Sequence, residues 1–448
     1  MKILLIATYP TLSTGYARIA SKLGNYLAGL PGVEVWHFGF ENYAGVTIAD
    51  RFVDPRIRVI DVASRVEPSK DRFGTTLIKD VVETEVRPDK IVVYNDVVVT
   101  CQFLNHFMAA DRPFEVVSYL DLVYEYETVE FIQHIDRWSD RVFVFSECWR
   151  RHLVGDFGFE PAKVGVFEHG FDADVFGPVD RGTARRALGL PEADFLVLNT
   201  NRNSYRKGLD ITIGGFLRFW KALGCPDDVK LVLNCRLDVT DGYDVPNLVR
   251  VECMKLGGLD EARVLNSQIL TTGDRAGLLT EEKHNALYNA ADVGLNTCVG
   301  EGFGLCNLEG AGLGVPQIVS DVGGLHDIFS GADGSFGCAL VPARPVMYLA
   351  RGIDSHGGEI RVCDPGDVAA ALLTMFSSEN RGKRNEALRA RILERYHWPT
   401  LLREFSDALL GPVASSALPT ASASLRSASA SAASLRSASL RSPQETKR

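Results

Sequence analysis

Lys2-Ile3-Leu4-Leu5-Ile6-Ala7, then Thr14-Gly15-Tyr16, a helical pattern over 17–30 closed by Pro31-Gly32, and an apolar run over 33–38: these segments decide the fold. The opening run is apolar without alternation, as expected of a strand covered on both faces. Pro31-Gly32 punctuates the end of the helix. Strand, glycine-containing loop, helix and strand in that order form a βαβ unit, which implies a parallel sheet. Gly15 falls at the carboxyl edge of the first strand, where such sheets bind ligands; by itself it also reads as a plain turn glycine.

The alternation continues outward from this unit. Helices are expected near 75–85, 99–108, 129–138 and 147–157, and strands at 91–94, 114–119, 142–145 and 164–167. His169-Gly170-Phe171-Asp172 and the residues to Pro178 read as a connector. The rhythm restarts at Phe195: strand 195–198, polar loop 199–206, helix 208–223, strand 230–234. Segments 248–252 and 268–270 are further candidate strands, 281–291 a helix, and 316–320 a strand. Residues 331–358 are expected to be an irregular surface excursion, followed by helices near 367–376, 382–396 and 400–410. The fold class is therefore α/β, with two Rossmann-like doubly wound domains facing a central cleft. The expected divisions are a first domain over 1–175, a second over 176–396, a closing helix over 397–412 and a tail over 413–448. After Pro412 the composition collapses to Ser, Ala, Leu and Arg, which cannot build a core and reads as disordered.

Composition narrows the function. A chain of 448 residues exceeds one ordinary core, and 46% apolar with 23% charged residues is globular usage. A net charge of −9 argues against a nucleic-acid binder. No run is long enough to span a bilayer, and residues 2–7 read better as a buried strand than as a signal peptide. The nine cysteines follow no CxxC or regular spacing, which fits a reducing compartment and a cytoplasmic location. Trp149-Arg150-Arg151 reads as a solvated helix end, with membrane contact at most peripheral.

Two loops carry the chemistry. The first is Val299-Gly300-Glu301-Gly302-Phe303-Gly304-Leu305-Cys306-Asn307-Leu308-Glu309-Gly310, between an apolar strand and a helix-like segment. Its glycines permit sharp turns and close approach to a ligand. A helix starting just after them aims free backbone N–H groups at the loop, an arrangement suited to phosphate. Glu301 and Glu309 bracket it, placed for hydroxyls of whatever the phosphate carries. Alone, the segment also fits a tight strand–helix turn. The second loop is Asn199-Thr200-Asn201-Arg202-Asn203-Ser204-Tyr205-Arg206-Lys207-Gly208, where Arg202 and Lys207 are positioned to hold a diphosphate. Alone, it also reads as a solvated basic loop.

An Arg with Lys-Gly five and six residues on, then Glu-Gly-Phe-Gly with a second Glu eight positions after the first, resembles the retaining glycosyltransferases of family four, the group-one glycosyl transferases. Gly277-Leu278-Leu279-Thr280-Glu281-Glu282, Leu287-Tyr288-Asn289-Ala290-Ala291-Asp292-Val293, Gly314-Val315-Pro316 and Asp321-Val322-Gly323-Gly324 resemble family segments too. Gly15-Tyr16 and the 169–172 connector are similar to the family's N-terminal loop and hinge. The resemblance implies the GT-B fold and a nucleotide-sugar donor bound mainly by the second domain. It implies that Arg202 and Lys207 hold the diphosphate, Glu301 the donor sugar, Glu309 the ribose, and Leu278 and Leu279 the base. Gly302, Phe303, Gly304 and Leu305 would border the donor, and Gly15 would let the first domain close over the phosphates. No metal or other cofactor is expected, and retention of configuration is the family expectation. The acceptor, whether glycan, lipid or protein, is not readable.

The chain departs from the pattern at two places. Leu120-Asp121 stands where many relatives have His before an acidic residue. Asp121 is the candidate for positioning the acceptor or taking its proton; it also fits as the cap of the next helix, and Glu125 and Glu127 are substitutes. Arg206 is an extra cation of open role. A nucleotide-sugar epimerase of the same architecture, or a module that binds a sugar nucleotide or glycan without chemistry, are the alternatives.

Overall fold

Seven strands make the first sheet: β1 (Lys2–Thr8), β2 (Glu34–Phe40), β3 (Arg58–Asp61), β4 (Lys90–Asp96), β5 (Glu115–Asp121), β6 (Arg141–Val144) and β7 (Val164–Val166). All its pairings are parallel, in the order β3-β2-β1-β4-β5-β6-β7. Ile3 through Ala7 are fully buried, which is why that run lacks alternation. Six strands make the second sheet: β8 (Phe195–Asn199), β9 (Val229–Leu233), β10 (Ile269–Thr271), β11 (Val293–Asn296), β12 (Gln317–Ser320) and β13 (Cys338–Val341). Their order is β10-β9-β8-β11-β12-β13, again parallel. This computed structural model describes residues 1–411 except 47, 68, 193, 238, 241, 273–279, 331–337, 378 and 380. The expected tail at 413–448 lies outside the described residues.

In each sheet the strand order reverses once, between β1 and β4 and between β8 and β11. Loops diverging from such a point leave a crevice at the carboxyl edge. Both candidate loops and Gly15 follow strands at these two positions.

The chain passes between the sheets twice, and the two passages lie side by side. The Phe171 amide donates to the Tyr396 carbonyl at 2.7 Å, and a Cβ on Gly170 would come within 2.5 Å of the Trp398 ring. The helix Trp398–Leu410 lies on the first sheet. Its Phe405 stacks on Phe167 with ring centroids 4.2 Å apart, and Arg141 donates to the Gly411 carbonyl at 2.9 Å.

Three expectations fail, each for a local reason. Residues 248–252 are helical, inside Val245–Leu256, because Asp244 caps the helix and Pro246 stands in its first turn. The described part of 331–358 is largely ordered: β13 completes the second sheet, and β14 (Ala343–Leu349) pairs antiparallel with β15 (Gly358–Cys363). Their exposed side chains alternate poorly, so the pattern hid the strands. Trp149 is not solvated: it is 1% exposed, and its indole N–H donates to the Gly302 carbonyl at 2.8 Å.

The β14–β15 hairpin leans on the first domain. Glu359 N–H donates to the Glu125 carbonyl at 2.8 Å, and Thr128 donates through its hydroxyl to the His356 carbonyl at 2.7 Å. Arg361 pairs with Glu125 at 3.0 Å, and the His356 ring lies 3.6 Å from Glu127 and 3.9 Å from Asp96.

Candidate active site

The basic loop is fixed by backbone conformation. Tyr205–Lys207 makes one tight helical turn, and Gly208 at φ +58° redirects the chain into the helix Leu209–Ala222. A Cβ on Gly208 would sit 2.2 Å from the Thr297 carbonyl, so only glycine admits this contact between the loops after β8 and β11. Thr297 donates back to the Gly208 carbonyl at 2.8 Å. A buried chain of amides locks the same loops from below: Asn201 to Asn296 at 2.9 Å, Asn296 to Asn307 at 2.7 Å, Asn307 to Gln317 at 2.8 Å. No motif pointed to this chain, because its members come from four separate segments.

The glycine loop follows the same logic. Gly304 at φ +106° precedes the helix Leu305–Gly312, whose first N–H groups face the crevice. The loop runs against the first domain so closely that a Cβ on Gly302 would lie 1.8 Å from Asp121 Oδ1.

A cavity of about 300 Å³ opens between the two sheet edges. Arg202, Arg206, Lys207, Glu301, Phe303, Gly304 and Leu305 line it from the second domain; Gly15, Tyr16, Asp121 and His169 line it from the other side. Gly302, expected to border the donor, is not among the lining residues: its carbonyl accepts from Trp149 and its Cα faces Asp121. Leu278 and Leu279 fall outside the described residues. Glu309 is near but does not line it: one oxygen pairs with Arg18 of the first domain, and the other accepts from the Tyr288 hydroxyl at 2.6 Å.

Charge is distributed unevenly around this cavity. Lys207 pairs with Glu301, and Arg206 lies 3.8 Å from the same carboxylate while donating to the Gly300 carbonyl at 2.8 Å. Burial pushes the Glu301 carboxyl up, but the Lys207 and Arg206 charges outweigh it and hold the group below its ordinary value. Arg202 is exposed and has no ion pair or hydrogen bond among the described residues. Asp121 is the last residue of β5, not the cap of the following helix, which starts at Val129. Its Oδ2 accepts from the Tyr16 hydroxyl at 2.5 Å, and its buried Oδ1 has no hydrogen-bond partner among the described residues. Burial lifts this carboxyl to about 6, partly opposed by the Tyr16 hydrogen bond and the Arg206 charge. The substitutes are engaged elsewhere: Glu125 with Arg361, and Glu127 with the amides of Val123 and Tyr124.

His169, read from sequence only as part of the connector, is 2% exposed, and neither ring nitrogen has a partner among the described residues. Burial, with Arg18 adding, pushes it down to about 3, so it is neutral at physiological pH. It packs against Phe303 at 4.8 Å and Phe145 at 4.4 Å between ring centroids.

Sucrose-phosphate synthase from Thermosynechococcus elongatus superimposes with a TM-score of 0.67 at 17% identity, over 92% of this chain and 98% of that one. Anabaena HepE in complex with UDP-glucose superimposes with a TM-score of 0.63 at 16% identity, over 92% and 99%. The chain has the GT-B fold. Residues 246–355 of this GT-B chain match the family described as Glycosyl transferases group 1, the family its motifs resemble. The D-inositol 3-phosphate glycosyltransferase of Mycobacterium avium is 29% identical over 263 residues, 54% of this chain. That alignment spans 58% of the relative's length, so the likeness covers little more than half of it. No helix among the described residues is long and apolar enough to cross a membrane.

Proposed function

We propose that the protein is a glycosyltransferase that moves a sugar from a nucleoside diphosphate donor, UDP- or GDP-linked, to an acceptor hydroxyl with retention of configuration. The single observation that carries this reading is the meeting of Arg202, Arg206, Lys207 and a helix start with Glu301 on one cavity. Cleaving a sugar–phosphate bond builds negative charge on the departing diphosphate and positive charge on the sugar. Fixed cations and oriented N–H groups stabilise the first, and a buried carboxylate suits the sugar side.

In this scheme Arg202 and Lys207 bind the diphosphate, and Arg206 holds Glu301 when Lys207 turns to phosphate. Glu301 contacts donor hydroxyls. Glu309 reaches the ribose by sharing oxygens that Arg18 and Tyr288 now occupy. The acceptor hydroxyl approaches from the first domain on the face the diphosphate leaves. The bond from the anomeric carbon to the diphosphate oxygen breaks, the new bond to the acceptor oxygen forms, and the hydroxyl proton passes to the departing phosphate. Asp121 orients the hydroxyl for this transfer. The cations neutralise the diphosphate themselves, so turnover is expected to proceed without a divalent ion. Two structural neighbours, HepE and an Escherichia coli protein, are described with UDP-glucose and UDP-2-fluoro glucose, which supports UDP as the nucleotide. The unpatterned cysteines support a cytoplasmic location.

Calorimetry with UDP and GDP, followed by product analysis with and without acceptors in the presence of a chelator, tests the reading. Nucleotide binding and acceptor-dependent product are expected. An epimerised donor without acceptor indicates the epimerase instead, and no binding of either nucleotide at millimolar concentration defeats both.

A further inference from the structure

The two walls of the cavity differ in sign. Arg202, Arg206 and Lys207 all stand on the second-domain wall. From the first domain and its connector come Tyr16, Tyr94, Asp121, Phe145 and His169. Among the described lining residues this wall has no cation. Its one carboxyl group among the described lining residues is Asp121, and its one imidazole is held neutral by burial.

First-domain cations at the same sheet edge are committed elsewhere, and none lines the cavity. Arg18, whose charge acts on His169, pairs with Glu309. Arg51 donates to the carbonyls of Pro10 and Leu12, both at 2.9 Å. Arg72 pairs with Glu41 at 2.5 Å.

Three buried polar atoms here have no partner among the described residues: both nitrogens of His169, which lines the wall, and Asp121 Oδ1, which is turned against the Gly302 backbone. Buried polar groups are normally satisfied, and orphans in a cavity wall point to a ligand that completes them. The neutral imidazole of His169 offers one donor and one acceptor, and Asp121 Oδ2, which already accepts from Tyr16, has a further lone pair that only accepts. A hydroxyl-rich molecule meets both needs. The Tyr94 and Phe145 rings, 6.0 Å apart at their centroids, add an apolar surface for the C–H face of a ring.

Resting on the transferase reading above, we infer that the acceptor is an uncharged sugar or polyol whose hydroxyls meet Asp121 and His169, not a phosphorylated one. A phosphate on the acceptor would face Asp121 with no cation to receive it, and like charges in a poorly solvated site repel strongly. The donor diphosphate would already hold the cations across the cavity. This separates the chain from the relatives named for D-inositol 3-phosphate, whose name specifies a phosphorylated partner.

The test pairs acceptors that differ only in phosphate. The full-length protein, with UDP-glucose or whichever UDP- or GDP-sugar a screen shows it consumes, is offered glucose against glucose 6-phosphate, and myo-inositol against its 3-phosphate. The uncharged member of at least one pair is expected to be glycosylated with kcat/KM tenfold or more above its phosphate. His169→Ala should raise KM for that acceptor at least tenfold while leaving UDP affinity within twofold. Equal use of both members, preference for the phosphates, or product from neither member of any pair overturns the inference. UDP calorimetry separates the two levels: a protein that binds UDP and prefers phosphates loses only the acceptor class, whereas one that binds no nucleotide loses the transferase reading.

Discussion

The cationic wall and the aromatic wall of the cleft solve opposite problems. On the second-domain side the ionic groups are partly paired, with one carboxylate, Glu301, between Lys207 and Arg206 and Arg202 alone outside. A ligand there exchanges one set of charge pairs for another. On the first-domain side both His169 nitrogens lack partners among the described residues, each an unmade hydrogen bond costing about 1–3 kcal/mol when buried. A ligand there gains what the free protein forgoes. The difference teaches that affinity for a charged ligand is set by rearranging existing pairs, whereas affinity for a neutral one is set by filling existing gaps.

The comparison breaks most visibly at the cations. Arg202→Ala should lower kcat/KM by about 10²–10³ while leaving Tm unchanged, because the side chain is exposed and stabilises nothing else in the free protein. Lys207→Ala should lower turnover comparably and also lower Tm, since it strands a buried carboxylate with only the more distant Arg206. Steady-state kinetics beside thermal melts checks the pair; near wild-type rates in either variant remove the diphosphate assignment.

Asp121→Asn sharpens the other wall. Its carboxyl sits at about 6 in the fold against about 4 in an unfolded chain, so the native state disfavours the charge. Stability attributable to this group is complete below the unfolded value and declines as pH rises through 6. The asparagine variant should therefore melt a few degrees higher at pH 8, while turnover falls about a hundredfold and the wild-type rise in activity through pH 6 disappears. Melts and pH–rate profiles measured together decide this; a variant that is less stable at pH 8 refutes the placement.

The smallest effect concerns how the walls are held together. Burial pushes His356 down, but Glu127, Asp96 and Asp354 outweigh it and lift the imidazole to about 9. Against an unfolded value of about 6.5, its contribution is complete below that pH and lost as pH climbs through 9. Between those limits wild-type Tm should fall roughly 1–3 °C more than that of His356→Asn, a difference scanning calorimetry resolves. Parallel Tm curves would show that the hairpin does not depend on this charge.

Much of the fold was legible because buried parallel strands announce themselves as apolar runs between glycine-bearing loops. The hairpin β14–β15 was not, since most of β14 faces solvent and its pairing partner lies a turn away. Trp149 was misread for a related reason: flanking arginines mark a helix surface, but only the opposite domain reveals that the indole is covered. In the cleft, spacing singled out Arg202, Lys207 and Glu301, and the structure brings them to one cavity. It also sets Glu309 back behind Arg18, a first-domain residue that no second-domain motif includes.

The sequence by itself determined the two parallel sheets and the charged residues carried on the loops at their carboxyl edges, because strand burial, turn chemistry and residue identity are local properties; the strand orders and their reversal points came from tertiary pairing. Tertiary structure alone decided which of those charges are already paired, that Trp149 and Asp121 press on the glycine loop, and that His169 stands in the wall without a partner among the described residues. Those facts depend on distances between residues about 100 to 300 positions apart, which folding sets and linear spacing does not encode.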